Sequence, residues 1–178
     1  MDFSLSMYEE LCQALKSYQV VPVEQYLSSP VNPPFVILRH DVDWELNNAL
    51  AMARLEQEYG IKSTYYFRYP KTFNVLIISR IRELGHEVGY HYEVLDKAKG
   101  DYQKAIKLFG AELDVFRRYF PVQTVCMHGN PLTGWDGRSL WQYYKLSDFG
   151  LMGEAFLSCD EVQIYLTDTG RNWNDNYN

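Results

Sequence analysis

The sequence has few cysteines, no long apolar run and no block of basic residues. Its three cysteines, Cys12, Cys126 and Cys159, show no C-x-x-C spacing, which indicates buried or free thiols in a reducing compartment. No apolar run approaches the roughly 18 residues that span a bilayer. Residues 1–4 lack the basic and apolar regions of a signal peptide. We therefore expect a cytoplasmic protein with no membrane partner.

Positive charge is also in deficit, with 17 Lys and Arg against 23 Asp and Glu and a net charge of −6. Such a surface disfavours phosphate backbones, which excludes general nucleic-acid binding. Aromatic residues make up 16% of the chain, which suits a carbohydrate-facing groove or a protein interface equally well. The sequence leaves the oligomeric state open, a homodimer included.

The length of 178 residues predicts a single domain over 1–178, with an N-terminal helical segment of about residues 1–34 packed on it. Ser6 and Glu9 have the spacing of a capping box at the start of that helix. Four prolines between 22 and 34 then predict an irregular connection. The last residues show neither a stop signal nor an apolar face, so a truncated C-terminus and a frayed one both remain open.

Short apolar runs then alternate with segments of helical periodicity, as in parallel βα units. This alternation predicts an α/β fold with about six to seven parallel strands, either an open sheet or a distorted, incomplete β/α-barrel. The predicted strands are 35–39, 63–68, 86–91, 124–128, 150–155 and 162–167. The predicted helices are 45–59, 75–84, 102–116 and 139–146.

Ionisable residues gather at the carboxyl ends of these strands, where parallel α/β folds place their sites. Asp41 and Asp43 are two apart and project to one face, with Arg39 on the same side. His91 and His128 end two further strands. Carboxylates and imidazoles are ligands that Zn²⁺ accepts, and a bound ion lowers the pKa of its water towards about 7. We therefore predict a metal site at this end of the sheet.

Each of these residues also has a structural interpretation. Asp43 precedes a helix and suits an N-cap, whereas His128 beside Gly129 suits a turn. His86 begins its strand, on the face opposite His91, which favours a structural role. Asp168 lies in an Asp-Thr-Gly turn sequence, and the tryptophans suit a core or an interface.

Three segments carry a resemblance to a known family. Residues 35–43 form an apolar strand that ends in aspartates, and 60–67 form a Gly-Ile-Lys-Ser-Thr-Tyr-Tyr-Phe strand. Residues 85–91 read Gly-His-Glu-Val-Gly-Tyr-His. Together they resemble the polysaccharide deacetylase domain, the fold of carbohydrate esterase family four. The resemblance covers about Phe35 to Asp168 and is most specific through Tyr92.

The resemblance implies a distorted β/α-barrel and a zinc-like divalent ion held by one Asp and two His, with Asp43 and His91 at two of those positions. Val42 falls where the family has its catalytic base, and Asp41 lies one residue earlier. Leu95 occupies the position of the second metal histidine. We hypothesise that His128 supplies this third ligand. The family's third motif is replaced by 127–131, and its last motif, with the general acid, would lie beyond Asn178 or is missing.

The resemblance implies removal of an N- or O-acetyl group from a carbohydrate substrate, as in surface-glycan biosynthesis, with Asp41 as base. Position alone suggests that Arg39, Asp168 and Trp173 orient the sugar. A catalytically degenerate glycan-binding or scaffolding domain remains open, because ligand, base and general acid all depart from the pattern. A glycosidase would need two carboxylates, for which Asp41 with Glu93 or Asp168 is the candidate pairing.

Overall fold

The computed structural model describes residues 4–130, 132–159 and 162–167, which form helices and parallel strands. The elements are α1 (Leu5–Leu15), β1 (Gln19–Val21), α2 (Val23–Ser28), β2 (Phe35–Ile37), β3 (Arg39–Val42), α3 (Leu46–Glu58), β4 (Thr64–Phe67), α4 (Val75–Glu83), β5 (Glu87–Tyr92), α5 (Val94–Lys97), α6 (Tyr102–Arg117), β6 (Thr124–Met127) and β7 (Gly153–Glu154). Two 3₁₀ helices, Gly137–Gln142 and Leu146–Phe149, connect β6 to β7. Within the described ranges, no helix combines the length and apolar character needed to cross a bilayer.

The predicted α/β class with parallel strands is confirmed. Strands β3 to β7 form a five-stranded sheet in chain order, and every neighbouring pair is parallel. Strands β1 and β2 form a separate two-stranded parallel sheet. Because all five strands are parallel, their carboxyl ends lie at one edge of the sheet.

The N-terminal helix is confirmed, but its cap is Ser4 rather than Ser6. Ser4 has extended backbone, and its Oγ accepts a hydrogen bond from the N–H of Met7 at 3.3 Å. The predicted irregular connection is wrong in part, since it contains α2, and β1 directly precedes it. Pro22 stands just before the first residue of α2, a position where the missing N–H of proline costs no helical hydrogen bond.

The apolar run at 35–39, predicted as one strand, is divided between the two sheets at Leu38. The Leu38 N–H donates to the carbonyl of Val21 at 3.3 Å, in the small sheet. Its own carbonyl accepts from the N–H of Thr64 at 3.0 Å, in the main sheet. The chain therefore passes from one sheet to the other. Strand β3, Arg39–Val42, ends three residues further than predicted, among the aspartates.

The elements after β6 differ most from expectation. The predicted helix at 139–146 is replaced by the two 3₁₀ helices, and the strand at 150–155 shortens to Gly153–Glu154. That strand ends because the Glu154 carboxylate accepts hydrogen bonds from the N–H groups of Phe156 and Leu157, which turns the chain. The strand predicted at 162–167 is wrong, since only Thr167 forms an isolated bridge. Two apolar side chains of this segment, Ile164 and Leu166, are exposed.

The main core lies between the five-stranded sheet and its helices. Alternate residues of β4 and β5 point into it, among them Tyr65, Phe67, Val88 and Tyr90. The residues between them face the opposite side, where a smaller cluster with Tyr66 and a set of polar side chains lie. One face of the sheet is thus a conventional apolar core, and the other is lined largely by polar groups.

The sheet is strongly curved around this polar face. Neighbouring strands lie about 4.8 Å apart, so a flat sheet would separate β3 and β6 by roughly 14 Å. Instead, the Sγ of Cys126 in β6 lies 3.8 Å from the Oδ2 of Asp41 in β3. Curvature therefore brings the side chains of non-adjacent strands together at the edge where the candidate residues lie.

Candidate metal centre

Three strand ends bring Asp43, His91 and His128 together. The Oδ1 of Asp43 lies 3.4 Å from the Nε2 of His128 and 3.7 Å from the Nε2 of His91. The two imidazole rings meet edge to face, with centroids 5.3 Å apart and an interplanar angle of 80°. One carboxylate oxygen is therefore flanked by two imidazole nitrogens from different strands.

The ring nitrogens that point away from Asp43 differ between the two histidines. The Nδ1 of His91 is 2.9 Å from the carbonyl of Cys126, to which it must donate, leaving Nε2 with its lone pair. The Nδ1 of His128 is buried without a hydrogen-bond partner, and the nearby Oε2 of Glu93 lies 3.7 Å away, beyond hydrogen-bond distance. A carbonyl or carboxylate behind the ring is the usual means of orienting a metal-binding histidine.

Burial lowers the pKa of His128, and this outweighs the opposing attraction of Asp43. The neutral imidazole, which is the form that binds metal, is therefore favoured. Asp43 retains 38% of its side-chain exposure, so the site stays open to solvent. A tetrahedral ion with bonds of about 2.0–2.1 Å keeps its ligand atoms about 3.3 Å apart, close to the distances measured here. The Asp43–His128 and Asp43–His91 separations thus suit a zinc-like ion.

The N-cap interpretation of Asp43 is wrong. The residue that precedes α3 at the cap position is Glu45, and no side chain caps the helix. Asp43 instead contacts Arg68, with its Oδ1 3.4 Å from a guanidinium nitrogen. Its carboxylate is directed across the strand ends rather than along the helix.

Asp41 lies beside His91. Burial opposes its ionisation, but the Arg39 guanidinium, 3.7 Å away, and His91 outweigh this, so the pKa of the carboxyl is lowered. Its side chain remains 31% exposed. Asp41 is therefore an ionised, accessible carboxylate next to the candidate centre, which is what a general base requires.

Arg39 lies inside the curved sheet. Its guanidinium donates to the Sγ of Cys126 and to the hydroxyl of Tyr165, and it packs 4.1 Å from the ring centroid of Phe156. These contacts suit it to holding Asp41, and its contact with a sugar stays a prediction. Asp168 and Trp173, the other residues predicted to orient the sugar, lie outside the described residues.

Arg68 is a site residue that the sequence analysis missed. It follows β4 directly, is only 7% exposed, and pairs with both Asp43 and Glu93. Its Nε is buried without a hydrogen-bond partner. The sequence could have indicated Arg68, because it stands at the carboxyl end of a predicted strand, as the other candidate residues do.

Cys126 was also missed. Single ligand atoms of Asp41, His91 and Cys126 all lie within 4.8 Å of one another. The cysteine spacing held no hint of this, but period-two alternation places Cys126 on the same face as His128, two residues later. Residue alternation, and not cysteine spacing, was the useful signal.

Two other sequence expectations concern residues away from the centre. His86 is buried, and its Nε2 lies 2.9 Å from the carbonyl of Ala53, which confirms its structural role. Leu95 is 1% exposed within the apolar core. Nothing at that position can replace the histidine that the resemblance implies, which leaves His128 as the third candidate.

The charges disfavour one of the two carboxylate pairings of the glycosidase alternative, that of Asp41 with Glu93. A glycosidase needs one carboxyl group that stays protonated near neutral pH. Burial raises the pKa of Glu93, but Arg68 and Lys97 outweigh it, and the net pKa is lowered. Because the pKa of Asp41 is lowered as well, neither member of the Asp41–Glu93 pair is suited to act as the acid. The pairing with Asp168 falls outside the described residues.

No model of a known protein family matches the chain, and a search of curated proteins returns no match. Function must therefore be inferred from the chemistry of the site itself.

Proposed function

We propose that this chain is a metal-dependent hydrolase that removes an acetyl group from a sugar. The observation that carries the proposal is the position of the Asp43 carboxylate oxygen, 3.4 and 3.7 Å from the Nε2 atoms of His128 and His91. The resemblance of 35–43 and 85–91 to the polysaccharide deacetylases supplies the reaction class.

In this proposal Asp43, His91 and His128 hold a divalent ion, zinc by ligand chemistry. When bound, such an ion polarises the acyl carbonyl and lowers the pKa of water. The residues around it are arranged for this role. The carbonyl of Cys126 orients His91 through its Nδ1, Glu93 lies 3.7 Å from the Nδ1 of His128, and Asp43 remains partly exposed.

Asp41 acts as the base. Its carboxylate is kept ionised by Arg39, so it can accept a proton from water at pH values near neutral. It lies beside His91, with ligand atoms of the two residues within 4.8 Å, and its side chain is 31% exposed. Asp41 thereby substitutes for the family's base, whose position holds Val42, a core residue that is 6% exposed.

Trp44 is proposed as a sugar platform. It directly follows Asp43 and is 71% exposed, an unusual position for so large an apolar side chain. The ammonium of Lys71 lies over its ring, 2.9 Å from the centroid. An exposed indole at the mouth of the site offers an apolar face to the C–H groups of a sugar ring and a polar edge to its hydroxyls.

The curvature of the five-stranded sheet leads to a proposal about the fold. We infer that the five-stranded sheet is most of a distorted, incomplete β/α-barrel, with its interior formed by the polar face. Support comes from Arg39, in the first strand of the sheet, which packs on Phe156 and Tyr165 beyond the last strand. The two edges of the sheet therefore approach each other.

The test measures bound metal and acetate release on the purified protein. We expect about one equivalent of zinc, and acetate release from N-acetylated oligosaccharides that a chelator abolishes. Asp43→Asn should lose the metal, whereas Asp41→Asn should keep it and lose about 10²- to 10⁴-fold in rate. Asp148→Asn, an exposed aspartate on a 3₁₀ helix, is the matched control and should behave as wild type.

Acetate release that survives the chelator, or an Asp41→Asn variant as fast as wild type, would contradict the proposal. Metal loss on His128→Ala is required by the ligand assignment. Unchanged metal content in that variant would remove His128 from the set while leaving Asp43 and His91 to be tested separately.

A glycan-binding domain without turnover is the second candidate, and one observation favours it. Arg68 is a permanent cation placed 3.4 Å from Asp43 and paired with Glu93, so it balances both carboxylates without any metal. If this candidate is correct, the purified protein binds acetylated oligosaccharides, holds no stoichiometric metal and releases no acetate.

A further inference from the structure

We propose that Asp41, His91 and Cys126 form a second cation site, selective for soft ions such as Cd²⁺, on the inner face of the curved sheet. The three residues come from β3, β5 and β6, and one ligand atom of each lies within 4.8 Å of the other two. His91 belongs to this inner set and also to the outer set that it forms with Asp43 and His128.

The donor atoms of the inner set are softer than those of the outer set. Cys126 contributes a sulfur, which is 3.8 Å from Asp41 and shielded completely from solvent. Thiolate ligands select thiophilic ions, whereas imidazole and carboxylate groups accept a wider range of metals. The outer set of one carboxylate and two imidazoles holds no sulfur, so the two sets should differ in metal preference.

Asp41 and Cys126 supply the negative charge that the inner set needs, and Arg39 lies behind both. On binding, the thiol proton of Cys126 passes to solvent, and Asp41 and the thiolate together carry two negative charges that offset the divalent ion. The Arg39 guanidinium already donates to the Sγ of Cys126 and lies 3.7 Å from Asp41. It can remain as a charge-assisted donor behind both ligands, in the position that outer partners of metal ligands commonly take.

The shared histidine makes the two sets exclusive. A single imidazole nitrogen binds one ion at a time, so an ion held with Cys126 takes His91 away from Asp43 and His128. A soft ion in the inner set should therefore displace metal from the outer set. This inhibition rests on the proposed function, but the existence of the inner site does not.

The test titrates Cd²⁺ into metal-free protein and follows the ultraviolet sulfur-to-metal charge-transfer band. Wild type should develop the band with about one equivalent of Cd²⁺, and Cys126→Ser should not. Cys12→Ser and Cys159→Ser, which change the other two cysteines, are matched controls and should keep it. His91→Gln leaves the thiol in place, and its affinity for Cd²⁺ should fall at least about tenfold.

His128→Ala separates the two sites, because it removes only an outer ligand and should leave the band intact. Absence of the band in wild type, its survival in Cys126→Ser, or an unchanged affinity in His91→Gln would each overturn the inner site. Since His91→Gln retains all three thiols, it tests the inner site even if Cys126→Ser fails to fold. Failure of the inner site would leave zinc content and acetate release unchanged, whereas failure of the hydrolase would leave the Cd²⁺ band in place.

Discussion

Replacing Glu56 by alanine is expected to lower the free energy of unfolding by about 3–5 kcal/mol. Glu56 lies in α3 and is fully buried behind the main sheet. Its carboxylate accepts hydrogen bonds from the hydroxyls of Tyr8 and Ser63 and from the Nε2 of His40, the last at 2.6 Å. One carboxylate thus joins the N-terminal helix, strand β3 and the start of β4.

The magnitude follows from what alanine would leave behind. Three hydrogen bonds to a charged group, at about 1.5–3 kcal/mol each, would sum to about 5–9 kcal/mol. Part of this is recovered, because Tyr8 Oη is already 3.1 Å from His40 Nε2, and Ser63 Oγ is 3.1 Å from His86 Nδ1. These donors can pair with each other, and the desolvation of a buried charge is relieved, which brings the expected loss down to the stated range.

Urea unfolding measures this loss directly. Glu56→Gln keeps the shape and part of the hydrogen bonding, so it should fall between wild type and Glu56→Ala. Glu58→Gln, an exposed change in the same helix, should lie within about 0.5 kcal/mol of wild type. A loss below about 1 kcal/mol in Glu56→Ala would refute the view that this carboxylate holds the three elements together.

Three further predictions concern other parts of the sheet. Gly89→Ala should lower the free energy of unfolding in urea by about 1–3 kcal/mol, because a Cβ there would overlap the fully buried ring of Tyr66. A variant as stable as wild type would show that the ring can move. Burial lowers the pKa of His86 below its ordinary 6.5, so the unfolded chain binds more protons and stability should fall as the pH drops below about 6.5. Urea midpoints across this range should show a flatter profile for His86→Gln, and an unchanged slope would exclude His86 as the cause. Glu93→Gln should weaken zinc binding about 10- to 100-fold in chelator competition, since it removes the carboxylate behind His128, and unchanged affinity would exclude that orienting role.

The meeting of Asp43, His91 and His128 follows from a rule that the sequence alone can apply. Parallel βα units in chain order place every strand's carboxyl end at one edge, so residues that end successive strands must be neighbours. Alternation then decides which residues share a face, as it did for His91 against His86. Both rules depend only on period and position, which a single sequence displays.

Rules of period and position do not predict the curvature of the sheet. Asp41 and Cys126 are 85 residues apart in the chain and on strands that do not pair, and only the bending of the sheet brings them to 3.8 Å. The strand predicted at 150–155 is too long for a related reason. The Glu154 carboxylate turns the chain by accepting hydrogen bonds from backbone N–H groups, which is a tertiary effect.

The charges at the strand ends make Arg68 the residue on which the two functional candidates differ. Asp43 and Glu93 are like charges at one edge, and such neighbours are costly unless a cation separates them. Arg68 lies between them and supplies that cation permanently, with its Nε buried and unpartnered. A divalent ion bound to Asp43 would compete with this guanidinium for the same Oδ1 atom, so the hydrolase requires that Arg68 yield part of that contact. In a glycan-binding domain the guanidinium would keep it, and the metal affinity of the protein is therefore set as much by Arg68 as by the ligands themselves.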